Sequence, residues 1–165
     1  MRYFEDFQWG AVFGLGTYPV TEGEVLQFGR VYDPQPFHLA EEAGRRYHFG
    51  GLVASGWQTA AIFQRLYVEA VLADAAVEGS PGAQDLRWPR PVRPGDLLTG
   101  TVSVLGAGPS LGLPGCGVVR QRGELTDRAG LTVFELTLSV VFRRRAAADP
   151  VVGVGPVAVL DGSTR

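Results

Sequence analysis

A carboxylate and an imidazole stand close together in the segment Asp33-Pro34-Gln35-Pro36-Phe37-His38. A helix cannot run through this segment, because proline lacks the amide hydrogen that a helix needs and favours an extended backbone in the residue before it. We therefore predict a stiff extended loop that holds Asp33 and His38 beside one water molecule. Such a pair can take a proton from water and deliver a proton to carbon, as the addition of water to a carbon–carbon double bond requires.

A second segment, Ser55-Gly56-Trp57, begins 17 residues after His38. Ser55 is a good N-cap, and the first turn of a helix offers unpaired N–H groups at the positive end of the helix dipole. Gly56 has no side chain to block a ligand's approach to its N–H. We expect this amide to stabilise the negative charge that develops on a thioester oxygen. Ser55 is favoured as a cap over a nucleophile, because no third member of a triad is evident.

Together the two segments resemble the MaoC-like family, which includes the (R)-specific enoyl-CoA hydratases. Its motif is Asp-x-Asn-Pro-x-His, followed by a His-Gly or Ser-Gly pair that opens the central helix of a hot-dog fold. By this resemblance Asp33 and His38 are the catalytic pair, and Gly56 supplies the oxyanion donor. Further similar segments are Pro36 in the motif, Phe4-Glu5-Asp6-Phe7, Phe28 and Pro91-Val92-Arg93-Pro94-Gly95-Asp96, so the resemblance covers roughly residues 3–145.

The chain departs from the family pattern at two positions. Gln35 stands where the hydratases have an Asn that helps to hold the active-site water. A longer amide could do the same from a shifted backbone, or it could indicate a different substrate. Ser55 replaces the commoner His of the His-Gly pair, although Ser also occurs there in the family.

The resemblance implies a lyase: a hydratase/dehydratase of fatty acid metabolism that adds water reversibly to the 2,3 double bond of an enoyl-CoA and forms an (R)-3-hydroxyacyl-CoA. Coenzyme A would enter as part of the substrate, and no metal or redox cofactor is implied. The partner would be an acyl-CoA or an acyl carrier protein thioester, and the protein would be a homodimer or higher homo-oligomer. The residues expected to support the pair or to bind substrate are Gln35, Ser55, Trp57 and Gln64.

Several alternatives stay open on the sequence alone. The same fold could serve a thioesterase, a mesaconyl-CoA-type hydratase or, given Gln35, a non-catalytic acyl-CoA-binding subunit. Taken singly, Asp33 is also typical of a turn or cap, and Gln64 of a satisfied buried amide. Arg87 and Arg90, on either side of Trp88, could meet coenzyme A phosphates or be solvated strand residues.

Helical segments must position these residues. Thr21 and Glu24 form a capping-box pattern that predicts a short helix over residues 22–31, and a second short helix is expected over roughly 37–46. A long helix is predicted from Ser55 to about Val77; it is apolar over most of its circumference, so most of it must be buried. Its polar residues Gln58, Arg65 and Glu69 share one narrow sector. Gln64 lies off that sector and is expected to point into the protein.

The rest of the chain is strand-like. A short strand is expected at Ala11–Tyr18, an alternating strand at 98–104, and a hairpin over 116–126 and 131–144 with its turn at 127–130. Pro81-Gly82 and Pro94-Gly95 are expected to be turns. One buried helix followed by antiparallel strands predicts an α+β protein, a curved antiparallel sheet wrapped around one long central helix, which is the hot-dog architecture. We expect a single domain over residues 1–145 and a loosely packed tail over 146–165.

The composition excludes several classes of protein. The length of 165 residues favours one domain, and the 45% hydrophobic content excludes a disordered chain. One cysteine and two histidines cannot build an ordinary structural zinc site. The 15 basic residues, all arginine, are scattered around a net charge of −2, so a nucleic-acid-binding stripe is not supported. Neither a signal peptide nor a transmembrane run of about 18 apolar residues is evident, so a cytoplasmic protein is expected by default.

Overall fold

The computed structural model describes residues 1–145. Three α-helices lie in this part of the chain: α1 (Glu22–Tyr32), α2 (Glu41–Gly44) and α3 (Gly56–Tyr67). Five strands accompany them: β1 (Val12–Pro19), β2 (Val77–Arg87), β3 (Leu97–Pro109), β4 (Cys116–Thr126) and β5 (Thr132–Arg143). Short 3-10 turns occur at Phe4–Asp6 and Pro36–His38, and a π-helical turn at Val68–Leu72 continues α3. The predicted tail, residues 146–165, lies outside the described residues.

The five strands form one antiparallel sheet in the order β1-β3-β4-β5-β2, and the sheet curves around α3. The chain is therefore an α+β protein with the hot-dog fold, as predicted. Phe63 of α3 packs on the sheet, with its ring centroid 5.4 Å from that of Phe134. Gly123 on β4 permits this approach, because a Cβ there would lie only 2.2 Å from Phe63 Cζ. The sheet thus fixes the position of α3 and of its N-terminus.

Helix α1 begins and ends close to its predicted limits. Its capping box is present: Glu24 N donates to Thr21 Oγ1 at 3.3 Å, and Thr21 N donates to Glu24 Oε2 at 3.3 Å. The helix ends at Tyr32 and is capped by Asp33, whose N–H donates to Gly29 O at 3.1 Å. Gly29 packs on the backbone of His38, where a Cβ would lie 2.7 Å from the His38 carbonyl oxygen. Helix α1 therefore supports both ends of the Asp33–His38 loop.

The second predicted helix, over 37–46, is wrong in extent. The chain makes a 3-10 turn at Pro36–His38 and then only the four-residue helix α2. The turn positions His38, whose N–H donates to Gln35 O at 2.9 Å. Glu41 in α2 bonds outside its own helix, accepting from Leu52 N at 2.7 Å, so α2 is anchored to the segment that leads into α3.

The central helix is shorter than predicted. It was expected to reach about Val77, but α3 ends at Tyr67, the π-helical turn ends at Leu72, and β2 begins at Val77. The reason is long-range pairing. Ala76 N donates to Arg2 O and Ala76 O accepts from Arg143 N, each at 2.8 Å, so this backbone joins the sheet instead of a helix.

Strand β2 overturns the expectation of a turn at Pro81-Gly82. Both residues lie inside β2, which pairs with β5 and, in the part of the chain that the structure describes, forms an edge of the sheet. An edge strand tolerates proline because its outer N–H positions need no partner in the sheet. Gly79 and Gly82 have φ of +150° and +146°, and the register with β5 shifts around them. These glycines accommodate the register shifts, so the strand continues through Pro81-Gly82 although the local sequence predicts a turn there.

The remaining strand and turn predictions are confirmed within a few residues. β4 has the predicted limits, and Gly130 N donates to Asp127 O at 3.0 Å in the hairpin turn to β5. At the Pro94-Gly95 turn, Asp96 N donates to Arg93 O at 3.1 Å, and Gly95 has a φ of +91°. β3 runs further than residues 98–104, to Pro109.

Two glutamines of α3 have the opposite solvent exposure from that predicted. Gln58 was grouped with the polar sector but is only 6% exposed, whereas Gln64 was expected to point inward and is exposed. The buried face of the helix is Gln58, Thr59, Ile62, Phe63, Leu66 and Tyr67. The opposite face of α3 is open, so the helix is buried on fewer sides than its apolar composition indicated. None of the helices in residues 1–145 is both long and apolar enough to span a bilayer.

Candidate active site

His38 is buried, and its ring is held by a backbone carbonyl. Nδ1 lies 2.8 Å from Val53 O, and because a carbonyl oxygen can only accept, the hydrogen of this bond is on Nδ1. Phe37 packs edge-on against the imidazole at a centroid distance of 4.5 Å. The other ring nitrogen, Nε2, lies 3.3 Å from Asp33 Oδ2. A neutral His38 therefore turns the lone pair of Nε2 toward the carboxylate.

Both oxygens of Asp33 accept hydrogen bonds. Ser55 Oγ donates to Oδ2 at 2.7 Å, and Gln35 Nε2 donates to Oδ1 at 2.8 Å. Burial by itself would raise the pKa of Asp33, but these two hydrogen bonds and the charge of a protonated His38 outweigh it and hold the pKa below its ordinary value. Asp33 is therefore a carboxylate at neutral pH.

Ser55 links this carboxylate to the start of α3. Its hydroxyl oxygen accepts from Trp57 N at 3.2 Å while its hydrogen goes to Asp33, so one side chain both caps the helix and orients the carboxylate. Among the hydrogen bonds of residues 1–145, Gly56 N has no acceptor. This amide is at the positive end of the α3 dipole and remains available to an anionic ligand atom.

One cavity of about 640 Å³ joins these groups. Of the residues predicted for the site, Asp33, Gln35, His38, Gly56 and Trp57 line it. Ser55 lies behind the lining, 1% exposed, and acts through Asp33. Gln64 lies on the exposed side of α3 and does not contribute to the lining.

Several lining residues were not predicted from the sequence. They are Phe37, His48, Phe49, Val53, Ala54, Thr59, Trp88, Pro89, Pro91, Val92 and Arg93. Five of these eleven come from the segment between β2 and β3, whose closely spaced prolines were the available signal. That segment is fixed by Ala54 N, which donates to Val92 O at 2.8 Å, and by Arg93, which donates to Phe49 O. Arg90 lines the cavity, whereas Arg87 lies elsewhere.

The donor set of the site suits proton transfer. Within residues 1–145, no three His, Cys, Asp or Glu side chains come together in a way that could hold a metal ion. The cavity instead holds the carboxylate of Asp33 in contact with the imidazole of His38, and the Gly56 amide lies at the start of the adjacent helix. This arrangement can polarise a water molecule and stabilise an oxyanion in the same space.

Comparison with known proteins gives consistent matches. The family model of the MaoC like domain matches residues 8–111. The uncharacterized protein YdeM of Bacillus subtilis is 29% identical over 140 residues, which are 85% of this chain and 98% of that protein. An (R)-specific enoyl-CoA hydratase of Rhodospirillum rubrum is 32% identical over 114 residues, 66% of this chain and 74% of the hydratase.

A solved structure is similar over most of the chain. The crystal structure of a MaoC-like dehydratase from Rhodospirillum rubrum superposes with a TM-score of 0.82 at 39% identity. The match covers 89% of this chain and all of the dehydratase chain. At this identity and coverage, the similarity extends over most of the fold.

Proposed function

The chain belongs to the MaoC-like domain family, and from that premise we propose that it is a hydratase/dehydratase that adds water reversibly to the 2,3 double bond of an enoyl thioester. The observation that carries the proposal is the contact between His38 Nε2 and Asp33 Oδ2, 3.3 Å apart, in a cavity that also contains the Gly56 amide. The (R) configuration of the 3-hydroxyacyl product is supported by the similarity to the (R)-specific enoyl-CoA hydratase.

The catalytic water binds on the cavity side of the two side chains, within reach of both. With Nδ1 engaged by Val53 O, neutral His38 and ionised Asp33 face each other as two acceptors. A water molecule on the cavity side that donates one O–H to Nε2 and the other to Asp33 relieves this conflict. Its oxygen lone pair then points away from both acceptors and toward the substrate. The pair thus orients the water as well as activating it.

His38 carries the mobile proton. As the water oxygen bonds to C3, one of its protons moves to Nε2, and the electron pair of the double bond moves through C2 to the thioester oxygen. The Gly56 N–H stabilises that oxygen. The imidazolium then returns its proton to C2 as the electron pair moves back, so no proton is gained or lost. Asp33, held as a carboxylate by Ser55 and Gln35, stabilises the imidazolium and stays ionised.

Gln35 takes a specific part in this scheme. Its amide nitrogen donates a hydrogen bond to Asp33 Oδ1. The family's Asn at this position helps to hold the water, whereas here the longer side chain orients the carboxylate that holds the water. The departure from the motif is therefore compatible with hydration, and Gln35 acts as a positioning residue.

The protein assembles, in this proposal, as a homodimer. Within residues 1–145, strand β2 is an edge strand whose residues are nearly all exposed, and no other strand pairs with the backbone groups on its outer side. Such an edge is a pairing surface unless something covers it. A second copy would cover it, and sedimentation at micromolar concentration would give twice the monomer mass; a monomer at every concentration would contradict this assignment. No cofactor beyond the coenzyme A or acyl carrier protein of the substrate is proposed.

The reaction is tested with crotonyl-CoA. Hydration removes the conjugated enoyl-thioester absorbance without releasing a thiol, and the product should be oxidised by an (R)-specific but not an (S)-specific 3-hydroxyacyl-CoA dehydrogenase. A thiol reagent in a parallel assay detects hydrolysis. Thiol release in place of hydration would identify a thioesterase, and saturable binding without conversion across a panel of enoyl-CoA lengths would identify a non-catalytic subunit. Mesaconyl-CoA in the same panel covers branched dicarboxyl substrates.

A further inference from the structure

Trp88 lies directly over the first residue of α3. A Cβ built on Gly56 would come within 2.7 Å of Trp88 Cε2, 2.8 Å of Cδ2 and 3.0 Å of Nε1, so the face of the indole covers the glycine Cα. Gly56 is helical, and its φ is not in the left-handed region. Space for the indole, and not backbone conformation, is therefore what requires glycine at position 56.

The indole is held in this position from several sides. Trp57 meets it edge-on at a centroid distance of 5.3 Å and an interplanar angle of 76°. Pro89 and Pro91 stiffen the following backbone, and Arg90 donates to Thr132 O at 3.0 Å. Trp88 is nevertheless 39% exposed, and it lines the same cavity as Asp33 and His38. A large apolar ring is thus fixed beside the reacting groups with part of its surface uncovered.

We propose that Trp88 is a substrate-positioning residue: its exposed surface forms the wall against which the thioester group lies while the carbonyl oxygen approaches the Gly56 N–H. The inference rests on the proposed function, because it assigns Trp88 to the thioester of that same reaction. A flat apolar wall suits the planar enoyl thioester, and contact with it covers surface that the empty cavity leaves exposed. Gly56 then has two tasks: its amide is the donor, and its missing side chain admits the wall.

A double-mutant cycle at Gly56 and Trp88, measured by steady-state kinetics, tests whether the substrate contacts the indole of Trp88. Trp88→Ala is expected to raise KM for crotonyl-CoA about tenfold with kcat within about threefold, because a contact made in both ground and transition state contributes uniform binding. Gly56→Ala keeps the N–H but displaces the indole, so it should raise KM similarly. Gly56→Ala/Trp88→Ala should be no worse than Trp88→Ala alone. Multiplying effects in the double variant, or an unchanged KM in Trp88→Ala, would overturn the proposal.

Trp88→Phe covers the case in which Gly56→Ala does not fold. The smaller ring preserves part of the wall, so its KM should lie between those of the wild type and Trp88→Ala. A KM equal to that of Trp88→Ala would show that the ring is not in contact with the substrate and would also overturn the proposal.

A binding measurement separates this inference from the reaction itself. Butyryl-CoA has no double bond to hydrate, and its binding should quench tryptophan fluorescence in the wild type and in Trp9→Phe, a variant of the 80% exposed Trp9. Trp57 also lines the cavity, so Trp88 is tested with Trp57 replaced: Trp57→Phe should keep most of the quench, and Trp57→Phe/Trp88→Phe should lose it. A quench that persists in Trp57→Phe/Trp88→Phe, or none in Trp57→Phe, refutes the contact. A Trp88-dependent quench without crotonyl-CoA hydration would support the contact between Trp88 and the acyl-CoA and would contradict only the proposed reaction.

Discussion

Ser55 Oγ donates a 2.7 Å hydrogen bond to Asp33 Oδ2, which joins the start of α3 to the end of α1. The same carboxylate oxygen lies 3.3 Å from His38 Nε2. A single hydroxyl thus caps the helix that supplies the oxyanion donor and orients the carboxylate of the proton-transfer pair. Changes at this bond should therefore be visible in both the pH dependence and the stability of the protein.

Removing the Ser55 hydroxyl should change the pH profile. Ser55→Ala deletes a donor that lowers the pKa of Asp33, so that pKa should rise and the acid limb of kcat/KM should move to higher pH. The apparent pKa that this acid limb reports is a property of the coupled Asp33–His38 pair and not of either residue alone. Loss of the cap should also cost about 1 kcal/mol in the free energy of unfolding. Thr21→Ala removes the cap of α1 away from the cavity, and it should lower stability without moving the limb. Equal profiles for the two variants would refute this prediction.

Ionisation of Asp33 should make stability depend on pH. Its pKa is depressed in the folded protein, so the stabilisation is fully present above the unfolded pKa of about 3.9 and is lost as the pH falls through the folded value. Asp33→Asn cannot titrate. The difference in Tm between the wild type and Asp33→Asn should change in favour of the variant as the pH falls below about 4. A constant difference throughout would show that the carboxylate is not selectively stabilised by folding.

Two glycines of α1, Gly29 and Gly23, provide a test variant and its control. Gly29→Ala places a Cβ 2.7 Å from the His38 carbonyl oxygen and should displace the loop, lowering kcat for hydration at least about tenfold and destabilising the fold. Gly23 faces open space in the same helix, so Gly23→Ala should raise stability by up to about 1 kcal/mol with unchanged kcat. Thermal melts and crotonyl-CoA kinetics measure both, and equal kcat in the two variants would exclude the supporting role of Gly29.

The close approach of α3 to the sheet should depend on Gly123. Gly123→Ala introduces a Cβ 2.2 Å from Phe63 Cζ and should lower the free energy of unfolding by about 1–3 kcal/mol, the usual cost of overpacking. Gly106→Ala on β3 meets nothing within 4 Å and serves as the control. Urea denaturation compares them. Combining Gly123→Ala with Phe63→Leu should recover part of the loss, whereas additive losses would place the strain elsewhere.

The local parts of the site could be predicted from the sequence. Prolines 34 and 36 exclude a helix by their own chemistry, and Ser55 caps α3 through a bond to Trp57, two residues away. Such rules need no knowledge of the rest of the fold. β4 was also predicted correctly, because the hairpin turn at residues 127–130 is a local signal that places the end of the strand.

The parts that were missed depend on distant residues. The helical segment ends where Ala76 N donates to Arg2 O and Ala76 O accepts from Arg143 N, and β2 exists because it pairs with β5. Neither partner is visible in the local sequence, where Ala-rich residues indicate a helix and Pro81-Gly82 a turn. The packing of Trp88 on Gly56 joins residues 32 positions apart and left no sequence pattern.

The central claim is that Asp33 and His38 act on one water molecule, and the most direct test is kcat/KM for crotonyl-CoA hydration in single variants. His38→Ala and Asp33→Asn should each lower it at least about 100-fold, the scale of lost acid–base help, with melts confirming that both variants fold. Asp74→Asn, at an exposed residue that lies outside β2 and does not line the cavity, is the control and should match the wild type. Hydration by folded His38→Ala or Asp33→Asn at a rate near that of the wild type would contradict the claim.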